Sequence, residues 1–531
     1  MKSPLRAALT SALALFASCT TPAVQSADSA ADSAVDSAMD TGEPHDAITA
    51  DAVEDSPSDA ASRRYVMPAC TQSAGPFAPL STRCQHLVDA QGRVVVLRGI
   101  NARVEGVFDV TFSDGRTALQ PIPAFEASDA ARMRQLGFNF LRLPINWSGI
   151  EPTNTTPPTY NDAYLARVQA TVELARRAGL LVLIDFHQDA YSKEIGEDGA
   201  PLWAIRPAPE MLLQGPLTAD ELARRRTAGQ TLRAFETFFG SSTEGAQLRT
   251  RFAQMTAEVA RRFRDDSAVI GYELFNEPVA DDAQCLALHT EVGAAIRAVD
   301  PRKLLVFEPP TIRNFLDRST LASAPFPLAG GVYAPHIYTL VFSGTDMQRQ
   351  TFTIDTLRAS HANAAREARS WGTPTIVTEW GYGPSGIRME DYVAAQADLQ
   401  DEFGESAALW LWKERSQGSW GLFDYDAASG RWTERPAYRR ALARVYPEAI
   451  AGWPKTWRFD RRARRFELEY EGSAMVSAPN VLFVPAAEDF AAMFTVTCDG
   501  ATVSATRNSE TGRVEVPCNG PGAHRVELVA N

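Results

Sequence analysis

Eight short apolar runs, rich in branched and aromatic residues, follow one another between residues 94 and 413. The runs are VVVLRGIN (94–101), FNFLRLPI (138–145), LLVLIDFH (180–187), VIGYELFNEP (269–278), LLVFEPP (304–310), GVYAPHIY (331–338), PTIVTEWG (374–381) and ALWLWK (408–413). Amphipathic segments such as DAYLARVQATVELARRAG, with apolar residues at helical spacing, separate most of them. Strand–helix alternation repeated eight times predicts an α/β fold, the (β/α)8 or TIM barrel.

The pattern of apolar residues changes after about residue 450. Short alternating stretches follow, namely RFELEYE, VLFVP, FTVTC, RVEVP and HRVELVA, with turns between them. A period of two is typical of strands with one buried face. We therefore predict a barrel domain over residues 64–450, followed by a small antiparallel β-sandwich over residues 451–531.

The first 19 residues, MKSPLRAALTSALALFASC, have a basic start, an apolar stretch and small residues before Cys19. The apolar stretch is too short to span a bilayer. The segment resembles a bacterial lipoprotein signal, which implies that Cys19 is lipidated after cleavage. The alternative is an ordinary signal peptide with Cys19 incidental. Either way we expect export, to the cell surface as a lipoprotein or otherwise as a secreted protein.

Residues 20–63 are a low-complexity segment of Ser, Ala and Asp. Ten Asp or Glu residues and no Lys or Arg lie between Thr20 and Ser62, out of a net charge of −13 for the whole chain. Such a segment has little to bury and repels itself, so we expect a disordered acidic tether. No basic stripe or run argues for nucleic acid as a partner.

Five cysteines remain beyond the first 19 residues, and export makes disulfides possible. Short sequence distances favour the pairs Cys70–Cys84 and Cys498–Cys518, although the sequence leaves other pairings open. Cys285 would then be a buried small apolar residue rather than a reactive thiol. No paired Cys or His spacing suggests zinc, and we expect neither a metal nor another cofactor.

Polar residues concentrate at the C-terminal ends of the eight runs, where a barrel of this kind carries its active face. They are Asn101, Arg142, His187, Asn276, Glu277, His336, Tyr338, Glu379 and Trp412. Strand ends are also polar simply because loops follow them. Ser, Thr, Lys and Asp would then dominate, whereas Glu, His, Asn, Arg and Trp dominate here. The composition therefore favours a functional site.

Glu277 ends the fourth run, in NEP, and Glu379 ends the seventh, in TEW. Two carboxylates at one barrel mouth suit cleavage of a glycosidic bond with retention of configuration. One carboxyl protonates the leaving oxygen and the other attacks the anomeric carbon, at a separation of about 5–5.5 Å. Each glutamate taken alone could equally be a structural, salt-bridged carboxylate at a strand end. The pair in this context favours catalysis.

With these motifs, residues 94–413 resemble clan A glycoside hydrolases, specifically glycoside hydrolase family 5. The resemblance implies that Glu277 is the acid/base and Glu379 the nucleophile of a catalytic barrel domain. It implies that Asn276 bonds the sugar 2-hydroxyl and that Arg142 keeps Glu379 ionised. Arg142 has an alternative reading as a structural partner of any barrel carboxylate.

The same resemblance implies three further contacts at the barrel mouth. Tyr338 would bond or position Glu379, with His336 beside it, and Trp412 would supply the ring on which the sugar packs. His336 has an alternative reading as a core histidine. Trp410 shares a face with Trp412 in an alternating strand, and the position nearer the C-terminal end favours Trp412.

The segment DFHQDAYSK with the later DGAPLW is similar to endoglycoceramidases, which cut the bond between a glycan and the ceramide of a glycosphingolipid. The resemblance implies that His187 and Asp189 contact the sugar next to the lipid. The loop after the first run does not align with relatives that prefer glucose-linked glycans, which leaves room for galactosylceramide. The insertion at about residues 203–247 has apolar segments that suit either a wall for ceramide or core helices.

We therefore expect a retaining β-glycosidase that acts on glycosphingolipids, works as a monomer and associates with membranes through its anchor or its substrate. The nearest alternatives keep the chemistry and change the leaving group: a β-glucanase, a mannanase or a steryl glucosidase. A non-catalytic carbohydrate-binding surface lipoprotein is the alternative from another class. The intact set of Glu277, Glu379, Asn276 and Arg142 argues against it.

Overall fold

The structure is a computed structural model that describes Tyr65, residues 67–68, Cys70 and residues 73–319, 326–415 and 420–531. The predicted signal segment with Cys19 and the predicted tether lie outside the described residues. In the part of the chain that is described, no helix combines the length and the apolar character needed to cross a membrane.

Strands and helices alternate through the middle of the chain, and strands alone fill its C-terminal part. The strands are β1 (Leu80–Arg83), β2 (His86–Asp89), β3 (Val94–Val95), β4 (Arg98–Asn101), β5 (Phe140–Ile145), β6 (Leu181–Phe186), β7 (Val269–Glu273), β8 (Leu304–Phe307), β9 (Gly331–Tyr333), β10 (His336–Ile337), β11 (Ile376–Trp380), β12 (Ser406–Leu409), β13 (Phe423–Asp426), β14 (Arg431–Glu434), β15 (Tyr446–Ile450), β16 (Gly452–Asp460), β17 (Arg465–Gly472), β18 (Asn480–Phe483), β19 (Phe494–Cys498), β20 (Ala501–Val503), β21 (Arg513–Val516) and β22 (Gly522–Ala530). The helices are α1 (Ala127–Gln135), α2 (Trp147–Ile150), α3 (Asp162–Arg177), α4 (Ala219–Arg225), α5 (Gly229–Phe239), α6 (Thr243–Phe263), α7 (Asp282–Val299), α8 (Arg313–Leu316), α9 (Asp346–Thr351), α10 (Ile354–Trp371), α11 (Met389–Phe403) and α12 (Pro436–Leu442).

Strands β4 to β12 form one sheet of parallel strands, in the order β10-β11-β12-β4-β5-β6-β7-β8-β9. The sixth predicted run supplies two of them, because Pro335 has no N–H for the strand ladder. β9 pairs with β8, β10 pairs with β11, and a bridge between Tyr333 and Thr375 links the two edges. The sheet closes on itself, and the predicted (β/α)8 barrel is confirmed.

The helices between the strands bury an apolar face against the sheet, and α3 is an example. Leu165, Val168 and Val172 recur at helical spacing and are buried. Burying a side chain of this size stabilises the fold by roughly 1.5–3 kcal/mol. The Asn161 side chain accepts the N–H of the third helical residue and so caps the first turn.

Two antiparallel sheets form the predicted C-terminal sandwich, in the orders β1-β2-β3-β15-β18-β21 and β16-β17-β22-β19-β20. The predicted boundary at residue 450 is corrected, because β1 to β3 and β15 belong to the sandwich. Val88 and Val94 pack in one core with Trp457 and Phe466 of the facing sheet. Strands β18 and β21 alone would be too narrow to cover five strands. The run VVVLRGIN is accordingly shared, with β3 in the sandwich and β4 in the barrel.

Both disulfides favoured by sequence distance are present in the structure. Cys70 is bonded to Cys84, and Cys498 is bonded to Cys518. Cys285 is a buried free thiol whose pKa is raised well above its ordinary value by burial. A thiol of this kind stays protonated and unreactive.

The insertion between β6 and β7 contains α4 and α5. Phe235, Phe238 and Phe239 of α5 are buried. Phe238 and Phe239 pack on Phe275, which follows β7, and Phe235 packs on Phe239. Leu213 is buried in a separate small apolar cluster. Of the two readings of this insertion, core helices describe its phenylalanines, because all three side chains are at most 5% exposed.

Candidate active site

Arg142 is completely buried on β5, beneath the barrel mouth. Its guanidinium donates to Glu273 Oε2 (2.5 Å), Glu379 Oε1 (2.7 Å) and Asn276 Oδ1 (2.8 Å). Burial alone would lower the pKa of Arg142, but the carboxylates around it, Asp185 and Glu273 first, raise it well above its ordinary value. The site therefore has a fixed positive charge at its base.

Glu379 lies on β11 and receives a hydrogen bond on each carboxylate oxygen. Arg142 Nη1 donates to Oε1 (2.7 Å) and the Tyr338 hydroxyl donates to Oε2 (2.9 Å). Burial raises the pKa of Tyr338 well above its ordinary value, so the hydroxyl keeps its proton. Burial also raises the pKa of Glu379, against the positive charges of His336 and Arg142. Together these contacts hold the carboxylate in one orientation.

Glu277 follows the end of β7 with a backbone φ of 41°, in the left-handed region that residues with a Cβ seldom adopt. Backbone strain of this kind persists where the surroundings fix it, often at functional sites. The Glu277 N–H donates to Glu308 Oε2 (3.0 Å), and Asn314 Nδ2 donates to Glu277 Oε1 (2.6 Å). One carboxylate oxygen of Glu277 and one of Glu379 lie within 4.8 Å of each other.

His336 lies between three carboxylates at the base of this pair. Its Nδ1 is 2.9 Å from Glu277 Oε1 and 3.6 Å from Glu379 Oε2, and its Nε2 is 3.3 Å from Glu308 Oε2. Burial alone would lower the pKa of His336, but the carboxylates raise it well above its ordinary value. His336 is therefore a buried cation shared by both glutamates, rather than a neutral core histidine.

Asn276 lies beside Arg142. Its Oδ1 accepts from Arg142 Nη2 (2.8 Å), and its Nδ2 donates to the Gln188 carbonyl (3.1 Å). Gln188 in turn donates to the Asn276 carbonyl (2.9 Å). These reciprocal bonds fix the amide at the pocket wall next to Glu277.

His187 and Asp189 follow β6 and line the opposite side of the mouth. His187 Nδ1 is 2.6 Å from Asp185 Oδ2, and its Nε2 is buried 3.8 Å from Asp189 Oδ2. Burial alone would lower the pKa of His187, but Asp185 raises it well above its ordinary value. Burial would raise the pKa of Asp189, yet Arg226 and His187 lower it to about 2. The charged imidazole of His187, a donor, and the carboxylate of Asp189, an acceptor, therefore lie next to each other.

The prediction that Trp412 carries the sugar platform is wrong, because the Trp412 side chain is 2% exposed. Its indole N–H donates to Asp129 Oδ1 (3.0 Å) and its ring packs on Phe423. β12 ends at Leu409, so the strand alternation assumed for this run stops before either tryptophan. Trp410 is half-buried, and its ring lies parallel to His187 with centroids 5.7 Å apart. Trp410 is therefore the tryptophan at the mouth.

Three partly buried rings next to the glutamates form an aromatic wall, defined here as Phe315, Phe342 and Trp420. Phe342 lies 4.8 Å from Tyr338 between ring centroids, and Trp420 lies 5.7 Å from Tyr338. Phe315 packs on Phe342 at 6.0 Å. The wall gives one rim of the mouth an apolar character.

Sequence reasoning missed several residues that contact the catalytic pair. Glu308 directly follows β8, in the motif FEPP, and its place after an apolar run was an available signal. Asn314 lies on the short helix α8 and Arg226 directly follows α4, and neither segment has a strand-end pattern, so nothing in their neighbourhood pointed to Glu277. Their contacts depend on how the loops fold over the barrel.

This arrangement can protonate the glycosidic oxygen and attack the anomeric carbon of the same sugar. One oxygen of each carboxylate lies within 4.8 Å of the other, which fits the close spacing of retaining enzymes better than the spacing of about 6.5–9.5 Å in inverting enzymes. Glu379 is held by a cation and a phenol, and Glu277 is the more exposed carboxylate at the mouth. The groups present can perform glycosidic cleavage by double displacement.

Comparisons with known proteins agree with this chemistry. The family model described as cellulase (glycosyl hydrolase family 5) matches residues 88–416, and that of the glycoside hydrolase family 5 C-terminal domain matches residues 444–528. Endoglycoceramidase I of Rhodococcus hoagii is 26% identical over 487 residues, which cover 86% of this chain and 91% of the relative. The endoglycoceramidase of Cyanea nozakii is 25% identical over 444 residues, which cover 73% of this chain and 80% of the relative.

Among solved structures, the lactosyl-enzyme intermediate of endo-glycoceramidase II from Rhodococcus sp. superposes with a TM-score of 0.69. It is 26% identical, and the match covers 84% of this chain and 99% of that one. The two family models together match both the barrel and the sandwich. The chain belongs to glycoside hydrolase family 5 and is a retaining glycoside hydrolase.

Proposed function

We propose that this enzyme hydrolyses the β-glycosidic bond between the glycan and the ceramide of glycosphingolipids. The observation that carries the proposal is the pair Glu277 and Glu379, within 4.8 Å of each other and next to the aromatic wall. Likeness to endoglycoceramidases over most of both chains supports the same substrate class.

Glu379 is the nucleophile in this proposal. Arg142 stabilises its ionised form, and the Tyr338 hydroxyl orients the oxygen that does not attack. Attack on the anomeric carbon breaks the bond to the ceramide oxygen and forms a glycosyl–enzyme ester. A lactosyl-enzyme intermediate has been solved for a similar enzyme.

Glu277 is the acid/base. It gives its proton to the ceramide oxygen in the first step and takes one from water in the second. Asn314 and His336 hold one of its oxygens, which leaves the other to face the mouth. His187 and Asp189 bind the sugar hydroxyls, and Trp410 packs on the sugar ring.

The aromatic wall binds the ceramide. An apolar leaving group gains roughly 25 cal/mol for each Å² that it buries, whereas a polysaccharide needs sugar-stacking platforms along an open cleft. Leu316, at the end of α8 beside Phe315, is 47% exposed and extends the apolar rim outward.

A panel of glycosphingolipids, cello- and manno-oligosaccharides and steryl glucosides tests this function. We expect release of intact ceramide together with free glycan, and no release by the variant Glu379→Gln. Mass spectrometry of both products measures the outcome. Cleavage of soluble oligosaccharides alone, or of steryl glucosides alone, would refute the assignment.

We also propose that the enzyme is an exported, monomeric lipoprotein, anchored through Cys19 with residues 20–63 as a spacer. The sequence of the first 19 residues supports this, and a membrane anchor suits a substrate embedded in lipid. Metabolic labelling with a fatty acid should mark the wild type and not Cys19→Ser. Equal labelling, or equal membrane partition, of the two would reject the anchor.

A further inference from the structure

Arg226 reaches across the barrel mouth from the insertion between β6 and β7. It directly follows α4, and its side chain is 27% exposed. Its Nη2 lies 2.9 Å from Asp189 Oδ2 and 3.4 Å from Glu197 Oε2, and its Nη1 lies 3.6 Å from Glu277 Oε2. One guanidinium thus bridges the acid/base and the sugar-binding carboxylate.

A buried ionic network continues behind Arg226, on the side away from the glutamate pair. Arg103 Nη2 donates to Glu414 Oε1 (2.7 Å), and Arg103 Nη1 donates to Gln120 Oε1 (3.2 Å). Gln120 Nε2 donates to Glu197 Oε1 (3.2 Å). The network joins the loops after β4, β6 and β12, and its four members are at most 4% exposed.

Charged groups therefore line this side of the mouth, and among Arg226 and the four members of the network Arg226 is the one that is not buried. The space between Asp189 and Glu277 is narrow enough for one guanidinium to contact both. A glycan that extends from the first sugar along the side of Asp189 and Glu197 would have to pass the position of Arg226. Displacing Arg226 would leave Asp189 and Glu197 buried without this cation, which is costly.

We propose that Arg226 is a specificity-determining residue that ends the glycan pocket after the first sugar, so that ceramides carrying one sugar are the preferred substrates. This inference rests on the proposed function and deepens it by setting the glycan length. The barrier is both steric and electrostatic, because an uncharged second sugar replaces a guanidinium that pairs with two carboxylates.

The test compares kcat/KM for glucosylceramide with lactosylceramide, and for galactosylceramide with digalactosylceramide. We expect the wild type to favour the one-sugar member of whichever series it cleaves by about tenfold or more. Arg226→Ala should reduce that preference by about tenfold, mainly by accelerating the two-sugar substrate. The ratio is taken within one preparation, so a partly unfolded variant does not distort it.

Arg224→Ala is the matched control, because Arg224 is an exposed arginine on α4, the helix that Arg226 follows. It should keep the wild-type ratio, and Arg226→Met should behave like Arg226→Ala. A wild type that cleaves two-sugar substrates as well as one-sugar substrates would overturn the inference and leave the proposed function standing. An unchanged ratio in both Arg226 variants would likewise overturn the inference and leave the proposed function standing. Failure to cleave any ceramide glycoside would overturn both.

Discussion

Arg142 distinguishes the two catalytic glutamates. It donates directly to Glu379 at 2.7 Å, in addition to the cation His336 that both glutamates share. Glu277 accepts from the neutral amide of Asn314, and the nearest guanidinium, that of Arg226, lies farther away at 3.6 Å. An opposite charge in direct contact favours an ionised carboxyl group. Glu379 therefore suits the role of nucleophile and Glu277 that of proton donor, although both carry the same functional group.

The phenol of Tyr338 should set the acid limb of the pH profile. The pKa of Glu379 is raised by burial, so activity that needs its ionised form is lost as pH falls through that raised value. Tyr338→Phe removes a hydrogen bond to the ionised form, worth about 1.5–3 kcal/mol, and should move the acid limb of kcat/KM upward by about one to two pH units. Tyr425→Phe, on the β13–β14 hairpin, is the control. An unmoved limb would contradict the role of Tyr338.

The two tryptophans after β12 should separate function from stability. Trp410→Ala should lower kcat/KM by about tenfold or more with a small change in the free energy of unfolding. Trp412→Ala should cost about 3–5 kcal/mol of stability, because a fully buried ring is removed. Steady-state kinetics and urea unfolding measure both. The reverse pattern would restore Trp412 as the platform.

At the scale of elements, strand order and strand-end polarity were readable from the sequence. Glu277, Glu379 and Arg142 meet because parallel strands carry their C-terminal ends to one face, which periodicity alone predicts. The Trp412 assignment failed because it required knowing that β12 stops at Leu409. Arg226 and Asn314 lie on segments whose positions are set by tertiary packing, and no local pattern encodes that.

The insertion helix α5 should stabilise the barrel without forming part of the lipid wall. Phe238 is buried against Trp147, Phe252 and Phe275. Phe238→Ala should lower the free energy of unfolding by about 3–5 kcal/mol, measured by urea denaturation. The exposed Met211, in the same insertion, offers Met211→Ala as a control with little effect. Equal stability of the two variants would contradict the core assignment.

At the scale of the whole molecule, the barrel and the sandwich are not separable along the chain. Residues 80–95 form β1 to β3 of the sandwich before the barrel begins, and Arg134 of α1 pairs with Glu448 of β15 at 2.9 Å. Sequence pattern placed the boundary at residue 450, since contacts between segments hundreds of residues apart leave no local trace. The two domains therefore fold as joined units.

A fragment of residues 451–531 should consequently fail to fold alone. It keeps β16, β17, β19, β20 and β22 of one sheet but only β18 and β21 of the other, so the apolar face of the larger sheet is left uncovered. Circular dichroism and limited proteolysis should show an unstructured, rapidly cleaved fragment, whereas the full chain resists. A cooperatively unfolding fragment would show that β1 to β3 are dispensable.

The assignment of Glu379 as nucleophile can be tested by trapping the intermediate. A 2-deoxy-2-fluoro glycoside of the accepted sugar with an activated leaving group, such as dinitrophenolate, lets the ester form, while the electron-withdrawing fluorine destabilises the transition state for its hydrolysis. Mass spectrometry of the intact chain and of its peptides should find one glycosyl adduct per molecule, on Glu379, and none in Glu379→Gln. An adduct on Glu277, or turnover with no covalent adduct, would contradict double displacement through this pair.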